Sequence, residues 1–449
     1  MPMVKESVCV RVRSRMRRRT TFDRFVSPRR LQRIMEDSAS CMHSKCQLFI
    51  WGLGKSGQLG TGNEHTQHNP QMIQVKSDSK GHEAWPCQVS CGGLYTAIVM
   101  SDGEMYTSGC AKYGRLGSGC EDNRSKFVRT PLPQKVKKVS TGLWHGAAVT
   151  ESSSLIVWGY KKGCGDRLEG KKDCDQPERK CHESAHSVSM WVLPSVCIMP
   201  ENHKVVGVAC GYNYTLAWLS TGVVLSWGSG HHGVLGHGFV GDIASPRPVE
   251  ALQLTKIMDG AAGYSHSAFV TSDGCLFMCG KGKDGALGLG NKKLADVTCP
   301  QQVSFADNVQ VVKVSCSVGE HHGHTLALTR RGEVYAWGDG YKGKLGMGSQ
   351  ESLYTPVQIA AEKFDMEHVT EVSAGGIHSA AATAEGSIFT WGCGSDGRLG
   401  HPEGQGHRYL FRSDVPRRVE ALAAKGRRLA MVNCSYYHTA AIVGLSCPL

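Results

Sequence analysis

The stretch from His324 to Gly346, HTLALTRRGEVYAWGDGYKGKLG, most constrains the fold, because its spacing recurs along the chain. A His or Tyr, here called the opener, starts an apolar run, a turn with Gly follows, and a strand ends thirteen residues after the opener at Trp-Gly. Eight residues after the Trp comes a Leu inside a Gly-x-Leu-Gly turn. The same thirteen-residue interval from the opener to the end of the third strand separates five further pairs: Tyr95 and Ser108, His145 and Trp158, Tyr214 and Trp227, His266 and Cys279, and His378 and Trp391. The sequence therefore predicts a repeat protein.

Two incomplete copies of the unit lie at the two ends of the pattern. Trp51-Gly52 has no opener before it, and the opener His438 has no Trp-Gly after it. Joining these halves gives one complete unit and a closed ring of seven. The sequence therefore predicts an all-β fold, a seven-bladed β-propeller closed by shared N- and C-terminal strands.

Each unit predicts four short strands. The first precedes the opener, the second follows it, and a reversal with Gly, as at Asp102-Gly103, leads to the third strand. The fourth strand lies near Pro-x-x-Val segments such as Pro246 to Val249, because an edge strand tolerates Pro. Stacking against two neighbours buries both faces of a blade. The Trp residues and the openers are therefore predicted to form the core, with the openers making hydrogen bonds between blades.

Composition limits the class of protein. The 55 glycines occur at fixed offsets within the units, which favours tight turns over disorder. The 19 cysteines are odd in number and scattered, and no signal-peptide pattern precedes them, so we expect reduced thiols in an intracellular protein. No apolar run reaches the roughly 18 residues needed to span a bilayer, which predicts a soluble protein without a membrane partner.

No pattern typical of an enzyme stands out. A catalytic triad, a carboxylate pair and a phosphate loop are all missing, and the Gly-x-Gly-x-x-Gly at Gly52 to Gly57 follows a Trp and precedes no helix. We therefore predict no catalytic site and no cofactor. Zinc-type ligands occur at Cys164, Cys174, Cys181, His182 and His186, but without a Cys-x-x-Cys pair no metal site is predicted.

Residues 1–45 are predicted to form a basic, largely disordered arm before a propeller of residues 46–449. The arm has twelve Lys or Arg and four Asp or Glu, so it holds +8 of the net charge of +12. Clustered arginines suit nuclear import or binding to the phosphate backbone of nucleic acid, and the candidates are Arg15, Arg17, Arg18 and Arg19. An Arg-rich, acid-poor segment also suits a mitochondrial presequence. The nucleus is favoured, with the mitochondrion or cytoplasm as alternatives.

The units resemble the regulator of chromosome condensation repeat. The motif Trp-Gly-x-Gly-x-x-Gly-x-Leu-Gly occurs at Trp51 to Gly60, Trp227 to Gly236, Trp337 to Gly346 and Trp391 to Gly400, and the resemblance covers residues 46–449. It implies a seven-bladed β-propeller. The family's founder catalyses guanine-nucleotide exchange on the Ran GTPase and holds chromatin through a basic arm. The resemblance thus implies an exchange factor-like protein for a Ran-type small GTPase, tethered to chromatin or nucleic acid by the arm. The alternative is a non-catalytic interaction scaffold.

The unit that opens at His145 departs from the pattern after Trp158. Its regular turn is replaced by an insertion over residues 160–200. In the family, a protruding wedge disturbs the phosphate loop of the GTPase, and basic residues here suit an acidic partner or phosphates. A polar loop without a partner is the alternative. The candidate residues of the insertion are Lys161, Lys162, Asp166 and Arg167.

Family exchange residues match this chain only in part. Exchange-active relatives have an acidic residue where this chain has Asn213, and an Asp where it has Gly163. They also have paired histidines at the opener where this chain reads GEHHGHT. The resemblance therefore adds Asn213, His321, His322 and His324 to the candidate partner-binding residues.

Overall fold

In a computed structural model of the protein, the strands form seven antiparallel sheets of four strands each. The structure describes residues 46–76, 83–169, 190–200, 203–291, 295–306, 308–320, 322–404, 411–423 and 427–445. The first strand of each sheet contacts the first strands of the two neighbouring sheets, so these inner strands surround a central channel. The protein is a seven-bladed β-propeller, as the repeat spacing predicts.

The blades follow one another in sequence, except that blade 1 draws on both ends of the ring. Blade 1 contains β1 (Cys46–Gly52), β2 (Gln67–Ile73), β27 (Arg427–Cys434) and β28 (His438–Leu445). Blades 2 to 4 contain β3 (Pro86–Cys91), β4 (Tyr95–Met100), β5 (Met105–Gly109), β6 (Arg124–Arg129); β7 (Val136–Thr141), β8 (His145–Thr150), β9 (Leu155–Tyr160), β10 (Trp191–Cys197); and β11 (Val205–Cys210), β12 (Tyr214–Leu219), β13 (Val224–Gly228), β14 (Ile243–Pro248).

Blades 5 to 7 repeat the same order from inner to outer strand. They contain β15 (Ile257–Ala262), β16 (His266–Thr271), β17 (Leu276–Gly280), β18 (Val297–Gln302); β19 (Val311–Cys316), β20 (His324–Thr329), β21 (Val334–Gly338), β22 (Leu353–Gln358); and β23 (Val369–Ala374), β24 (His378–Thr383), β25 (Ile388–Cys393), β26 (Arg412–Arg418). The one α-helix that the described residues contain, α1 (Lys161–Cys164), follows β9. The described residues contain no helix that is both long and apolar enough to cross a membrane.

Blade 1 closes the ring. Strand β1 pairs antiparallel with β28, with Trp51 opposite Thr439 and Cys46 opposite Gly444. Strand β27 pairs with β28 on its other side, and β2 pairs with β1. The predicted shared blade is confirmed.

Five tryptophans form equivalent parts of the core. Each lies one or two residues before the end of a third strand and is fully buried: Trp51, Trp158, Trp227, Trp337 and Trp391. Their indole Nε1 atoms donate to backbone carbonyls in the turn of the preceding blade, as in Trp391 to the Lys344 carbonyl at 2.8 Å and Trp51 to the Arg398 carbonyl at 2.9 Å. Burying one such side chain contributes roughly 1.5 to 3 kcal/mol before entropy is counted. Each Trp therefore joins two blades by packing and by a hydrogen bond.

The openers join the blades in a second way. Five histidine Nε2 atoms lie 2.8 to 3.0 Å from a hydroxyl of the next blade: His145 with Thr215, His266 with Thr325, His324 with Ser379, His378 with Thr439 and His438 with Thr96. The tyrosine openers donate instead to the carbonyls of the next openers, Tyr95 to His145 at 2.6 Å and Tyr214 to His266 at 2.9 Å. These seven contacts link every blade to the next, which confirms the predicted role of the openers.

The protonation state of the opener histidines follows from their partners. The hydroxyl of Thr439, for example, donates to the Arg398 carbonyl, so it accepts from His378, whose Nε2 must carry the proton. Burial lowers the pKa of His145 and of His266 to about 4, and that of His438 to about 3. The rings are therefore neutral at physiological pH.

Blade 3 differs from the prediction in one respect. The insertion is predicted over residues 160–200, but the outer strand β10 lies inside this range and pairs with β9. The added residues therefore fall between α1 and β10, and residues 170–189 lie outside the described residues. The sequence hides this strand because it lacks the Pro-x-x-Val pattern that marks the outer strands of blades 4, 5 and 7.

Candidate functional site

One end of the propeller carries all the connections that follow the inner and third strands. In each blade the opener pairs with a Gly at or next to the end of the third strand, as in His145 with Gly159 and His324 with Gly338. The connection that ends at the opener and the turn that begins after this Gly therefore emerge together. We call this end the loop face.

The loop face is rich in aromatic side chains. Seven tyrosines and one tryptophan lie in its connections or at the strand end next to them, half-buried except for Tyr341, which is 44% exposed: Tyr113, Trp144, Tyr160, Tyr212, Tyr264, Tyr341, Tyr436 and Tyr437. Tyrosine and tryptophan combine a large apolar surface with a polar group and few rotatable bonds, and they are frequent anchors at protein interfaces. These side chains form three clusters.

The first cluster joins blades 2 and 3. The Tyr113 ring lies edge-on to Trp144 at 5.2 Å between centroids and 5.3 Å from Tyr160. The guanidinium of Arg115 stacks on Trp144 at 4.1 Å, and the Lys112 ammonium lies 5.0 Å from the Tyr113 ring. This cluster is therefore aromatic and cationic.

The second cluster joins blades 4 and 5. Tyr212 and Tyr264 pack against each other with ring centroids 4.4 Å apart, and His231 contacts both. The His231 Nε2 lies 2.8 Å from the Tyr264 carbonyl, and His232 pairs with Asp296 at 2.7 Å. Burial lowers the pKa of His231, which favours its neutral form, and the Glu320 carboxylate interacts with the Tyr264 hydroxyl.

The third cluster spans blades 6, 7 and 1. Tyr436 and Tyr437 pack together at 4.6 Å, and Arg398 lies about 6 Å from both rings and donates to the Tyr436 carbonyl at 2.6 Å. His322 stacks on Tyr341 at 4.8 Å. The loop face thus carries aromatic side chains on both sides of the channel.

The candidate residues of the insertion lie beside this face. Lys161 and Lys162 begin α1, Asp166 and Arg167 follow it, and all four are exposed. Lys162 pairs with Asp242 of blade 4 at 2.8 Å, and the Asp166 N–H donates to the Ala244 carbonyl at 2.7 Å. The helix therefore bridges blades 3 and 4.

The other candidate residues are divided between surface and core. His322 is exposed and its Nδ1 lies 3.2 Å from Asp339, whereas His324 is fully buried and bonded to Ser379. His324 therefore belongs to the links between blades and does not present a surface to a partner. Asn213 is 8% exposed, and its Oδ1 has no hydrogen-bond partner within the described part of the chain. His321 and the arm residues Arg15, Arg17, Arg18 and Arg19 lie outside the described residues.

The backbone at Gly163 leaves no space for a side chain. A Cβ built there would lie 2.4 Å from the His145 Nδ1 and 2.5 Å from its Cγ. Since His145 is fully buried and bonded to Thr215, it cannot move aside cheaply. The aspartate that the family resemblance leads us to expect at this position in an exchange factor is therefore incompatible with the observed backbone.

Sequence reasoning missed the tyrosine clusters. The signal was present, because an aromatic residue stands one or two positions before the opener in GLWH, GYNY, GYSH and SYYH. The glycine-rich mouth of the channel, lined in part by Leu143, Tyr212 and Tyr264, lies among these residues.

Over the residues that the structure describes, no group of three or more His, Cys, Asp or Glu is arranged to hold a metal ion.

Comparisons with known proteins agree with this architecture. The family model described as the RCC1-like domain matches residues 47–441. The ultraviolet-B receptor UVR8 of Arabidopsis thaliana is 33% identical over 330 residues, which cover 72% of this chain and 67% of that protein. The RCC1 domain-containing protein RUG3, mitochondrial, of the same plant is 29% identical over 384 residues, 84% of this chain and 72% of that one.

Two further comparisons concern a much longer protein and a solved structure of low sequence identity. The human E3 ubiquitin-protein ligase HERC2 is 29% identical over 404 residues, which are 88% of this chain but 8% of that protein. The crystal structure of Prp20p from Saccharomyces cerevisiae, described with its binding to Gsp1p and histones, superposes with a TM-score of 0.73 at 20% identity, covering 90% of this chain and 93% of that one. At this identity the likeness shows the shared propeller fold.

Proposed function

Because the chain belongs to the RCC1-like domain family, we propose that it is a protein-interaction module whose loop face binds a partner protein. The observation that carries this proposal is the concentration of half-buried Tyr and Trp, with Arg beside them, at one end of the propeller. These three residue types dominate the binding energy of protein interfaces, and they do so where neighbouring contacts exclude water.

A small GTPase of the Ran type is the partner that we propose. Similarity to Prp20p, which binds Gsp1p, supports this choice. Exchange requires no covalent chemistry from the propeller, since it needs only a surface that holds the GTPase and a group that disturbs its phosphate site. The exposed Lys161, Lys162 and Arg167 beside the loop face suit contact with acidic groups or phosphates.

The test measures release of labelled GDP from a purified Ran-type GTPase. We expect faster release with the wild-type protein and a loss of acceleration in the double variant Tyr212→Ser, Tyr264→Ser. The matched control is Leu254→Ser, because Leu254 is fully exposed in the connection between β14 and β15, at the opposite end of the blades. Equal effects of the loop-face and control variants would contradict a loop-face contact.

A non-catalytic scaffold is the second candidate function, and Gly163 and Asn213 favour it. The first position cannot take an aspartate on this backbone, and the second carries a buried amide in place of a carboxylate. For this function we expect direct binding to a partner without any change in GDP release. The double tyrosine variant should lose this binding while Leu254→Ser retains it.

We also propose that residues 1–45 tether the propeller to chromatin or nucleic acid and direct it to the nucleus. The arginine cluster at Arg15, Arg17, Arg18 and Arg19 supports this proposal, since neutralising phosphates with arginine gives salt-dependent affinity. The relative RUG3 is described as mitochondrial, so the mitochondrion is the alternative. Fusing residues 1–45 to a fluorescent reporter decides between the two compartments.

A further inference from the structure

The residue before Leu in the Gly-x-Leu-Gly turn is a buried cation in three blades. Arg115, Lys344 and Arg398 occupy this position and are 1%, 0% and 2% exposed. Two of them have a carboxylate from their own turn: Lys344 pairs with Asp339, and the Arg398 Nη2 lies 3.1 Å from Asp396. A buried charge without a carboxylate costs considerably more than a paired one. The third cation is therefore the unusual one.

Arg115 has no ion pair with any residue that the structure describes. Its Nε donates to the Lys112 carbonyl at 2.9 Å and its Nη1 to the Leu143 carbonyl at 3.2 Å, while its Nη2 has no hydrogen-bond partner. Burial lowers the pKa of Arg115, but a guanidinium remains charged at physiological pH. The nearby Glu121 is exposed and accepts from the Tyr113 N–H at 2.6 Å.

The equivalent positions in the turn explain the missing carboxylate. Asp339 is the second residue after its Trp, and the matching position in blade 2 holds Cys110. Asp396 is the fifth residue after its Trp, and the matching position holds Tyr113. The turn of blade 2 thus keeps the cation while a thiol and a phenol replace the two carboxylates.

We infer that Arg115 and the first aromatic cluster bind an acidic segment of the partner protein, with a carboxylate placed beside Trp144. The inference rests on the proposed function, because it assigns the partner's chemistry at one part of the loop face. Trp144, Tyr113 and Tyr160 provide the apolar contact, and Lys112 adds an exposed cation above Tyr113. The field of a buried guanidinium is weakly screened, so it favours a carboxylate that excludes water from this surface.

The test measures binding of two short fluorescent peptides by anisotropy, one of alternating glutamate and tyrosine and one of alternating glutamine and tyrosine. We expect the full-length protein to prefer the glutamate peptide. Arg115→Gln should weaken its binding at least about tenfold, the scale for removing one desolvated charge from a pair. The fold accommodates glutamine at this position, because Gln58 occupies it in blade 1.

Two further variants separate binding from stability. Lys344→Gln removes a buried cation that already has a carboxylate, so we expect less than about a twofold change in peptide affinity. Cys110→Asp supplies Arg115 with an internal carboxylate at the position of Asp339, so we expect it to keep the fold and to lose the preference for the glutamate peptide.

Equal weakening by Arg115→Gln and Lys344→Gln would overturn the inference, as would equal binding of the two peptides or no binding of either. Those outcomes leave the proposed function standing if the Tyr212 and Tyr264 double variant still loses its protein partner. Loss of that dependence would instead contradict the proposed function itself.

Discussion

Replacing Thr439 with valine tests the hydrogen bonds that join the blades. The Thr439 hydroxyl donates to the Arg398 carbonyl at 2.8 Å and accepts from His378 Nε2 at 2.8 Å. Valine has nearly the same shape, so packing is kept while both bonds are lost. The Arg398 carbonyl retains the indole N–H of Trp51 at 2.9 Å, whereas the buried His378 N–H is left without a partner.

The expected cost follows from these losses. Each hydrogen bond contributes about 1 kcal/mol, and leaving the His378 N–H unpaired adds about 1 to 3 kcal/mol. Since the carbonyl keeps a donor, we expect Thr439→Val to lower the free energy of unfolding by about 2 to 4 kcal/mol. The unpaired N–H of His378 accounts for most of this cost, because the Nδ1 of the same ring is already buried without a partner in the described structure.

Urea unfolding followed by tryptophan fluorescence measures this change. Thr439→Ser is the matched control, because serine keeps the hydroxyl and already serves as the hydroxyl partner of His324 at Ser379. We expect the valine variant to be the less stable by at least about 1 kcal/mol. Equal stability of the two variants would refute the assignment of this hydroxyl as a link between blades.

Three further predictions concern charge and space. In the folded protein the pKa values of His145 and His266 are about 4, against about 6.5 in the unfolded chain. The free energy of unfolding should therefore fall as the pH drops from about 6.5 towards 4, by up to about 1.4 kcal/mol per pH unit for each ring. Midpoints of urea unfolding across this pH range measure the fall. Asp339→Asn should cost about 2 to 4 kcal/mol in thermal or urea unfolding, because it leaves the buried Lys344 ammonium without its carboxylate. Gly163→Asp should lower the melting temperature without accelerating GDP release, because its side chain meets the ring of His145.

The regular part of the fold could be predicted because it repeats. The thirteen-residue step from opener to Trp identifies the second and third strands of most blades, and the two unpaired halves at Trp51 and His438 identify the closing blade. Periodicity also predicted that the openers join blades. It could not show which hydroxyl each ring contacts, since that partner lies about 50 to 340 residues away in sequence.

The candidate site was less accessible to sequence reasoning. A histidine in GEHHGHT reads the same whether its ring is buried or exposed, and the structure places His324 in the core but His322 on the surface. The tyrosine clusters form only when connections from adjacent blades come together, as in Tyr212 with Tyr264. The isolation of Arg115 becomes evident only when burial is known, because an exposed arginine needs no carboxylate.

The pairing of β1 with β28 has a consequence for synthesis on the ribosome. Strand β1 leaves the exit tunnel before any other strand of the ring, yet its partner β28 emerges only after the strands of all six intervening blades. During translation, the apolar residues of β1, including Phe49 and Trp51, therefore lack the residues of β28 that they pack against in the folded ring. We expect nascent chains that stop before β28 to depend on chaperones, whereas chains that include β28 can pair it with β1 and close the ring.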